Sequence, residues 1–174
     1  MTTLSSQSNE KYCLIINSST IITLNELDQI NLINKAKEIA EIYIPNAVKM
    51  EVGNNIPIKA KAIQIKNNAI PPLIKSYLEG LGEGEKEVII TALTLSQKTD
   101  KTKVIAITDD KQARRKCKQL KIRVKGTLGL IKILEENNII TKREAIEIIE
   151  KLPKTSLYIT KELVEKAKEQ ILTK

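Results

Sequence analysis

The 174-residue chain contains no histidine, no phenylalanine and no tryptophan. Without histidine there is no Ser-His-Asp triad, no Cys-His pair, no His-ligated zinc and no imidazole general base. With only four tyrosines as aromatics, the core must be built from Ile, Leu, Val and Ala. Aromatic base-stacking platforms of the RRM or OB type are not expected. Cys13 and Cys117 lack C-x-x-C spacing and read as reduced, mostly buried thiols. No apolar run approaches the roughly 20 residues that span a bilayer, and Met1 to Lys11 is polar rather than signal-like. A cytoplasmic protein with no membrane partner is expected.

Hydrophobic residues make up 41% of the chain and charged residues 29%. That balance belongs to a globular protein, and the length suits a single domain over residues 1–174, with 1–10 a flexible polar start. The net charge of +8 calls for an anionic partner. Its distribution is uneven. No acid occurs from Lys111 to Lys132, while Lys111, Arg114, Arg115, Lys116, Lys118, Lys121, Arg123 and Lys125 crowd together. Such a tract is either a solvated helix face or an approach for phosphates. Its position directly after Asp110 favours the second, with Lys111, Arg114, Arg115 and Lys118 as candidate nucleic-acid contacts.

Strand and helix patterns alternate, which implies a parallel sheet in an α/β fold. Tyr12 to Ile16 and Lys103 to Ile107 read as buried strands, Tyr43-Ile44 and Ile122 to Val124 as short ones. Helices are expected from a Ser19 cap through Leu27, from Ile30 to Ile42, and from Pro45 to the Gly53-Asn54-Asn55 stop. Residues 56–80 are ambiguous, with Pro71-Pro72 splitting two helical pieces, the second over Leu73 to Leu78. After a turn at Gly80 to Gly84, helices follow over Glu85 to Ser96, Asp110 to Leu120 and Leu128 to Glu136. Two more begin at Thr141, stopped by Pro153, and at the Thr160 cap with Glu162 in its first turn.

Acidic residues recur just after apolar runs. Asp109-Asp110 closes Val104 to Ile107, Glu51 follows Ile44 to Val48, and Glu83, Glu85 and Glu87 open an apolar helix. Carboxylates at strand ends and helix starts can converge on one rim of a parallel sheet. Hard oxygen ligands so gathered suit Mg²⁺ or Mn²⁺. Glu85 continues the stripe of Val88, Ile89 and Ala92, and a carboxylate on a buried face is expensive unless a cation meets it. Glu83 and Glu87 lie less squarely on that face and read as helix-start acids. One of Asp109 and Asp110 can be a simple N-cap. The first strand ends in Asn17, where a carboxylate would be expected. That also disfavours a phosphatase with an aspartate nucleophile there.

Ile15-Ile16-Asn17-Ser18-Ser19, Tyr43 to Val48 with Glu51, and Leu81 to Ile89 resemble, in this order, the PIN-domain nucleases. So do Ile107 to Arg114 and Val124 to Gly129, and the ending Leu157-Tyr158-Ile159-Thr160 is similar to a prokaryotic PIN-like branch of predicted nucleic-acid-binding proteins. The likeness covers residues 12 to 172. It implies a three-layer α/β/α fold with a short parallel sheet. It also implies Mg²⁺ or Mn²⁺ held by acids, and RNA cleavage by a metal-activated water, as in the toxins of VapC-like toxin–antitoxin pairs. Carried over, Asn17, Glu51, Glu85 and Asp110 or Asp109 take the four acid positions, all as metal ligands. Ser19, Thr108 and Glu87 are supporting residues, and Arg114 falls on a basic position of the branch. RNA, an antitoxin protein and a second copy of the chain are the partners that accompany this reading. An amide at Asn17 can ligate a metal but brings no charge, so the alternative is a PIN-fold protein that binds RNA or a protein without cutting.

Overall fold

The computed structural model describes residues 11–54, 56–58, 61–63 (backbone only) and 70–174. The expected flexible start at 1–10 lies outside them. Five parallel strands form one sheet in the order β3-β2-β1-β4-β5. They are β1 (Tyr12–Ile16), β2 (Ala40–Pro45), β3 (Lys61–Ile63), β4 (Val104–Ile107) and β5 (Arg123–Lys125). The helices that connect and flank them make the expected α/β/α architecture. They are α1 (Ser18–Glu26), α2 (Asn31–Lys35), α3 (Asn46–Val52), α4 (Pro72–Tyr77) and α5 (Glu83–Lys98), then α6 (Lys111–Gln119), α7 (Thr127–Glu136), α8 (Lys142–Lys151) and α9 (Lys161–Leu172).

The central strands are apolar on both faces because helices cover both. Leu14, Ile15, Ile16 and Ile105 to Ile107 are fully buried, as parallel strands must be. With no Phe or Trp, Ile, Leu, Val and Ala fill the core, and the two thiols, Cys13 and Cys117, are buried as expected, neither in a disulfide. Burial pushes the Cys117 thiol up to about 12, far from the thiolate that reactive cysteines need. No helix among the described residues is long and apolar enough to cross a membrane.

Several boundaries differ from the sequence reading. The helix expected over Ile30 to Ile42 ends at Lys35, and after a short 3₁₀ turn the chain enters β2 at Ala40. Ala40, Ile42 and Ile44 alternate with Glu41 and Tyr43, so a strand pattern lay inside a helix-like run. Ser19 is the second residue of α1 rather than its cap, because Asn17 holds the N-cap position. Pro45 ends β2 and Asn46 begins α3. Lys61–Ile63 is a strand where a helical piece was expected, and residues 64–69 of that piece lie outside the described ones.

The order places β1 between β2 and β4, so the chain winds outward in both directions from β1. Ligand sites of open parallel sheets lie outside the carboxyl ends of the strands at such a reversal. Asn17 follows β1 and Thr108 follows β4. The strands run in register, Ile16 opposite Ile107, and the Asn17 N–H donates to the Ile107 carbonyl at 2.9 Å. The two strand exits are therefore locked side by side.

Candidate metal and nucleic-acid site

Asn17 sits where Asn normally caps a helix, yet its side chain makes no cap bond to α1. It turns across the sheet instead. Its Nδ2 donates to Thr108 Oγ1 at 3.1 Å and to Glu85 Oε1 at 3.5 Å. Its Oδ1 is buried without a hydrogen-bond partner, a costly state for an amide oxygen. Thr108 is wholly buried and its Oγ1 also accepts the Asp110 N–H at 3.3 Å. This hydroxyl fixes both the Asn17 amide and the turn that carries Asp110.

Glu51, on α3, is tied to the same corner. Its carboxylate accepts from Ser18 Oγ at 2.6 Å and from the Gly84 N–H at 3.1 Å. A Cβ on Gly84 would lie 2.7 and 2.9 Å from the two Glu51 oxygens. The glycine at this point of α5 lets one acid settle against the helix that carries another. Ser18 is thus a site residue the sequence reading passed over. Its signal was slight, a hydroxyl adjacent to Asn17.

Glu85, Asp109 and Asp110 line one cavity of about 430 Å³ with Ser18 and Ser19 at its wall. Ser19 Oγ is buried without a partner. The two aspartates do different work. Asp110 caps α6, accepting the Ala113 N–H on Oδ1 at 2.7 Å, while its other oxygen accepts no hydrogen bond from the described residues. Asp109 reaches to α7, where its oxygens accept the Thr127 N–H at 2.8 Å and the Thr127 hydroxyl at 2.6 Å, with Thr20 at 3.4 Å. Glu87 points elsewhere. It accepts the Ala47 N–H at 2.8 Å and so satisfies the first turn of α3. Glu83 is exposed and pairs with Lys86.

Among the described residues no lysine or arginine pairs with Glu51, Glu85, Asp109 or Asp110. The ion pairs among the described residues join other side chains. No three carboxylates or thiols among the described residues stand close enough to hold one ion together.

The basic tract divides. Lys111, Arg115 and Lys118 lie on the exposed face of α6. Arg114 is half-buried, and a Cβ on Gly126 would lie 2.7 Å from its Nη1 and 2.4 Å from Asp109 Oδ1. Lys116 turns the other way, over the Tyr77 ring at 4.5 Å, and Arg123 bonds the Thr102 carbonyl. Of the four candidate contacts, Lys111 lines the acidic corner and Arg114 a neighbouring groove that shares Asp109 with it.

A family model, DUF3368, described as a PIN domain, matches residues 13–172. No curated protein matches the chain. The match runs from β1 to α9, and the parallel sheet flanked by helices is the fold that the motif order predicts. The chain belongs to the PIN-domain family.

Proposed function

We propose that the chain is a Mg²⁺- or Mn²⁺-dependent endoribonuclease whose metal ligands are drawn from Glu51, Glu85, Asp110 and Asn17. The observation that carries this reading is the corner itself. At the strand reversal, Asn17 and Glu85 meet beside Asp110, no lysine or arginine of the described residues pairs with the acids, and the Asn17 Oδ1 is buried and has no hydrogen-bond partner among those residues. The donors fit the proposed ions in kind, being hard oxygens throughout. Water would complete the shell, as is usual for Mg²⁺ with one or two protein carboxylates. Asp110 fits better than Asp109, since it keeps an oxygen free while Thr127 and Thr20 occupy Asp109.

When bound, such an ion supplies a water of lowered pKa and stabilises charge on phosphate oxygens. The chain's residues do the positioning. The Ser18 hydroxyl orients Glu51, Thr108 orients the Asn17 amide, and the free Ser19 hydroxyl can donate to a substrate oxygen. Lys111 and Arg114 draw the phosphate backbone to the corner. Within a toxin–antitoxin pair, an antitoxin protein would neutralise this activity, and an adjoining small reading frame would support that role.

One observation favours a second reading, RNA or protein binding without cleavage. The Asn17 amide is neutral, and its nitrogen donates to the very carboxylate a metal needs. The variant Asn17→Asp separates the two. It exchanges a donor for an anion with little change of shape. Without metal it should melt lower than wild type, through repulsion with Glu85. Mn²⁺ should raise its melting temperature more than that of wild type and speed RNA cleavage, with each 1.4 kcal/mol of added affinity worth about tenfold. A protein that binds RNA, ignores Mn²⁺ and cuts nothing in either form establishes the second reading.

A further inference from the structure

Beside the acidic corner runs a second groove, of about 360 Å³, between α6, the β5–α7 turn and residues 157–159. The two cavities are neighbours, with Asp109, Lys111, Leu157 and Tyr158 lining both. Lys111, Arg114, Lys125 and Lys132 border the groove, against the one carboxylate of Asp109, which is already bound to α7. Its remaining wall is apolar, with Leu128, Leu157, Ile159 and Leu163. Over it stands Tyr158, 84% exposed, with Lys111 Nζ 5.9 Å from its ring centre.

These features suit a ligand that is anionic along one edge and flat and apolar along the other. The exposed tyrosine beside an apolar ledge offers a stacking face, and Lys111, Arg114 and Lys125 border the trough together with Lys132, whose ammonium donates to the Gln170 side chain. Lys132 adds a sign of crowding. Burial pulls its ammonium below the ordinary range, Glu136 resists, and Lys174, Lys125 and Lys166 push the same way as burial. The ledge is also anchored. Ser156 donates to Glu26 at the end of α1 through its backbone N–H at 2.7 Å and its hydroxyl at 2.5 Å, which holds the segment carrying Tyr158 against the body of the domain.

We infer that this groove binds the nucleotide flanking the scissile position of single-stranded RNA, with Tyr158 stacking its base and Lys125 and Lys132 holding its phosphate. The inference rests on the ribonuclease reading for its register but not for its chemistry. Single strands are favoured because only an unpaired base offers a free face to a ring. Tyr158 thereby becomes an aromatic platform in a chain whose composition argued against one.

The test is fluorescence anisotropy with a labelled single-stranded RNA 12-mer in EDTA, so that nothing is cut. Tyr158→Ala should weaken binding about tenfold, and Tyr158→Phe should restore it, since stacking needs the ring and not the hydroxyl. Lys125→Gln with Lys132→Gln should weaken binding and flatten its salt dependence by about 0.7 in log–log slope for each phosphate no longer neutralised. Lys98→Gln, on the end of α5, should change neither. Equal affinity of Tyr158→Ala and wild type overturns the inference, as does equal affinity for a duplex of the same sequence or no RNA binding by wild type. A parallel cleavage assay in Mn²⁺ reads the enzyme proposal separately. Weakened binding in Tyr158→Ala without any wild-type cleavage keeps the groove and removes the nuclease. Cleavage by wild type with Tyr158→Ala binding unchanged does the reverse.

Discussion

Asn17 holds an N-cap position and leaves the cap unmade. That forgoes about 1 kcal/mol of helix stabilisation, and the amide goes to Thr108 and Glu85 instead. Glu51 shows the same priority. It accepts from Ser18 and from the Gly84 N–H, and the missing Cβ of Gly84 is what admits its carboxylate. Gly84→Ala separates the needs of the helix from those of the site. Alanine is the better residue in a helix, by up to about 1 kcal/mol. Its Cβ would displace the Glu51 carboxylate, a flexible side-chain end, so little of the core need move. The variant should melt at the same temperature or higher in EDTA and show a smaller Mn²⁺-induced rise than wild type. An unchanged Mn²⁺ rise would remove Glu51 from the ligand set.

At the scale of elements, the strongly periodic and the strand-like runs were legible. β1 is bounded as expected, and α5 to α9 fall within a few residues of the pattern. β2 was read short because its first residues continue the apolar periodicity of α2, and only the sheet decides where the helix must stop. β3 was missed because it is an edge strand of three residues with little pattern of its own. The acids were legible as a group, but not their division of labour. Asp109 serves α7 and Glu87 serves α3, each satisfying backbone N–H groups of another helix, and sequence spacing carries no trace of such partners. The basic tract was likewise legible as charge and not as direction. Of its cations, Arg115 and Lys118 face solvent on α6, away from the groove, while Arg114 packs over Gly126. Arg115→Glu with Lys118→Glu should therefore leave the melting temperature nearly unchanged, as exposed charges contribute little. It should slow RNA association at low salt more than it weakens final affinity, because these charges steer without touching the groove. Arg114→Glu alone should cost both stability and affinity. Stopped-flow binding and thermal melting distinguish the two sets, and a loss of affinity in the double variant as large as in Arg114→Glu would return Arg115 and Lys118 to direct engagement of the RNA.

Taken as a whole molecule, the domain sets Glu85, Asp109 and Asp110 at the carboxyl edge of the sheet, and burial moves the Cys117 thiol and the Tyr43 phenol further above neutral pH. Cys117 is fully buried, and burial raises its thiol from 9.0 to about 12. Burial, with the Glu41 hydrogen bond and charge, raises the Tyr43 phenol above its ordinary 10.0. A group whose folded pKa is raised leaves stability intact below the unfolded value and erodes it as pH climbs toward the folded one. The unfolded chain ionises Cys117 above pH 9.0 and Tyr43 above 10.0, and the folded chain holds both neutral. Stability should thus be flat from neutrality to about pH 9 and fall beyond it, by up to about 1.4 kcal/mol per pH unit for each such group. On the acid side the lowered carboxyls, Glu26, Asp100 and Glu144, are all fully exposed, so their loss should be felt weakly and only below about pH 4.5. Cys117→Ala should melt lower at neutral pH, having lost a buried sulfur, and should lose less on going from about pH 8.5 to about pH 10.5 than wild type does. Parallel melting curves for the two proteins across that interval would place the alkaline limb elsewhere, on groups outside the core.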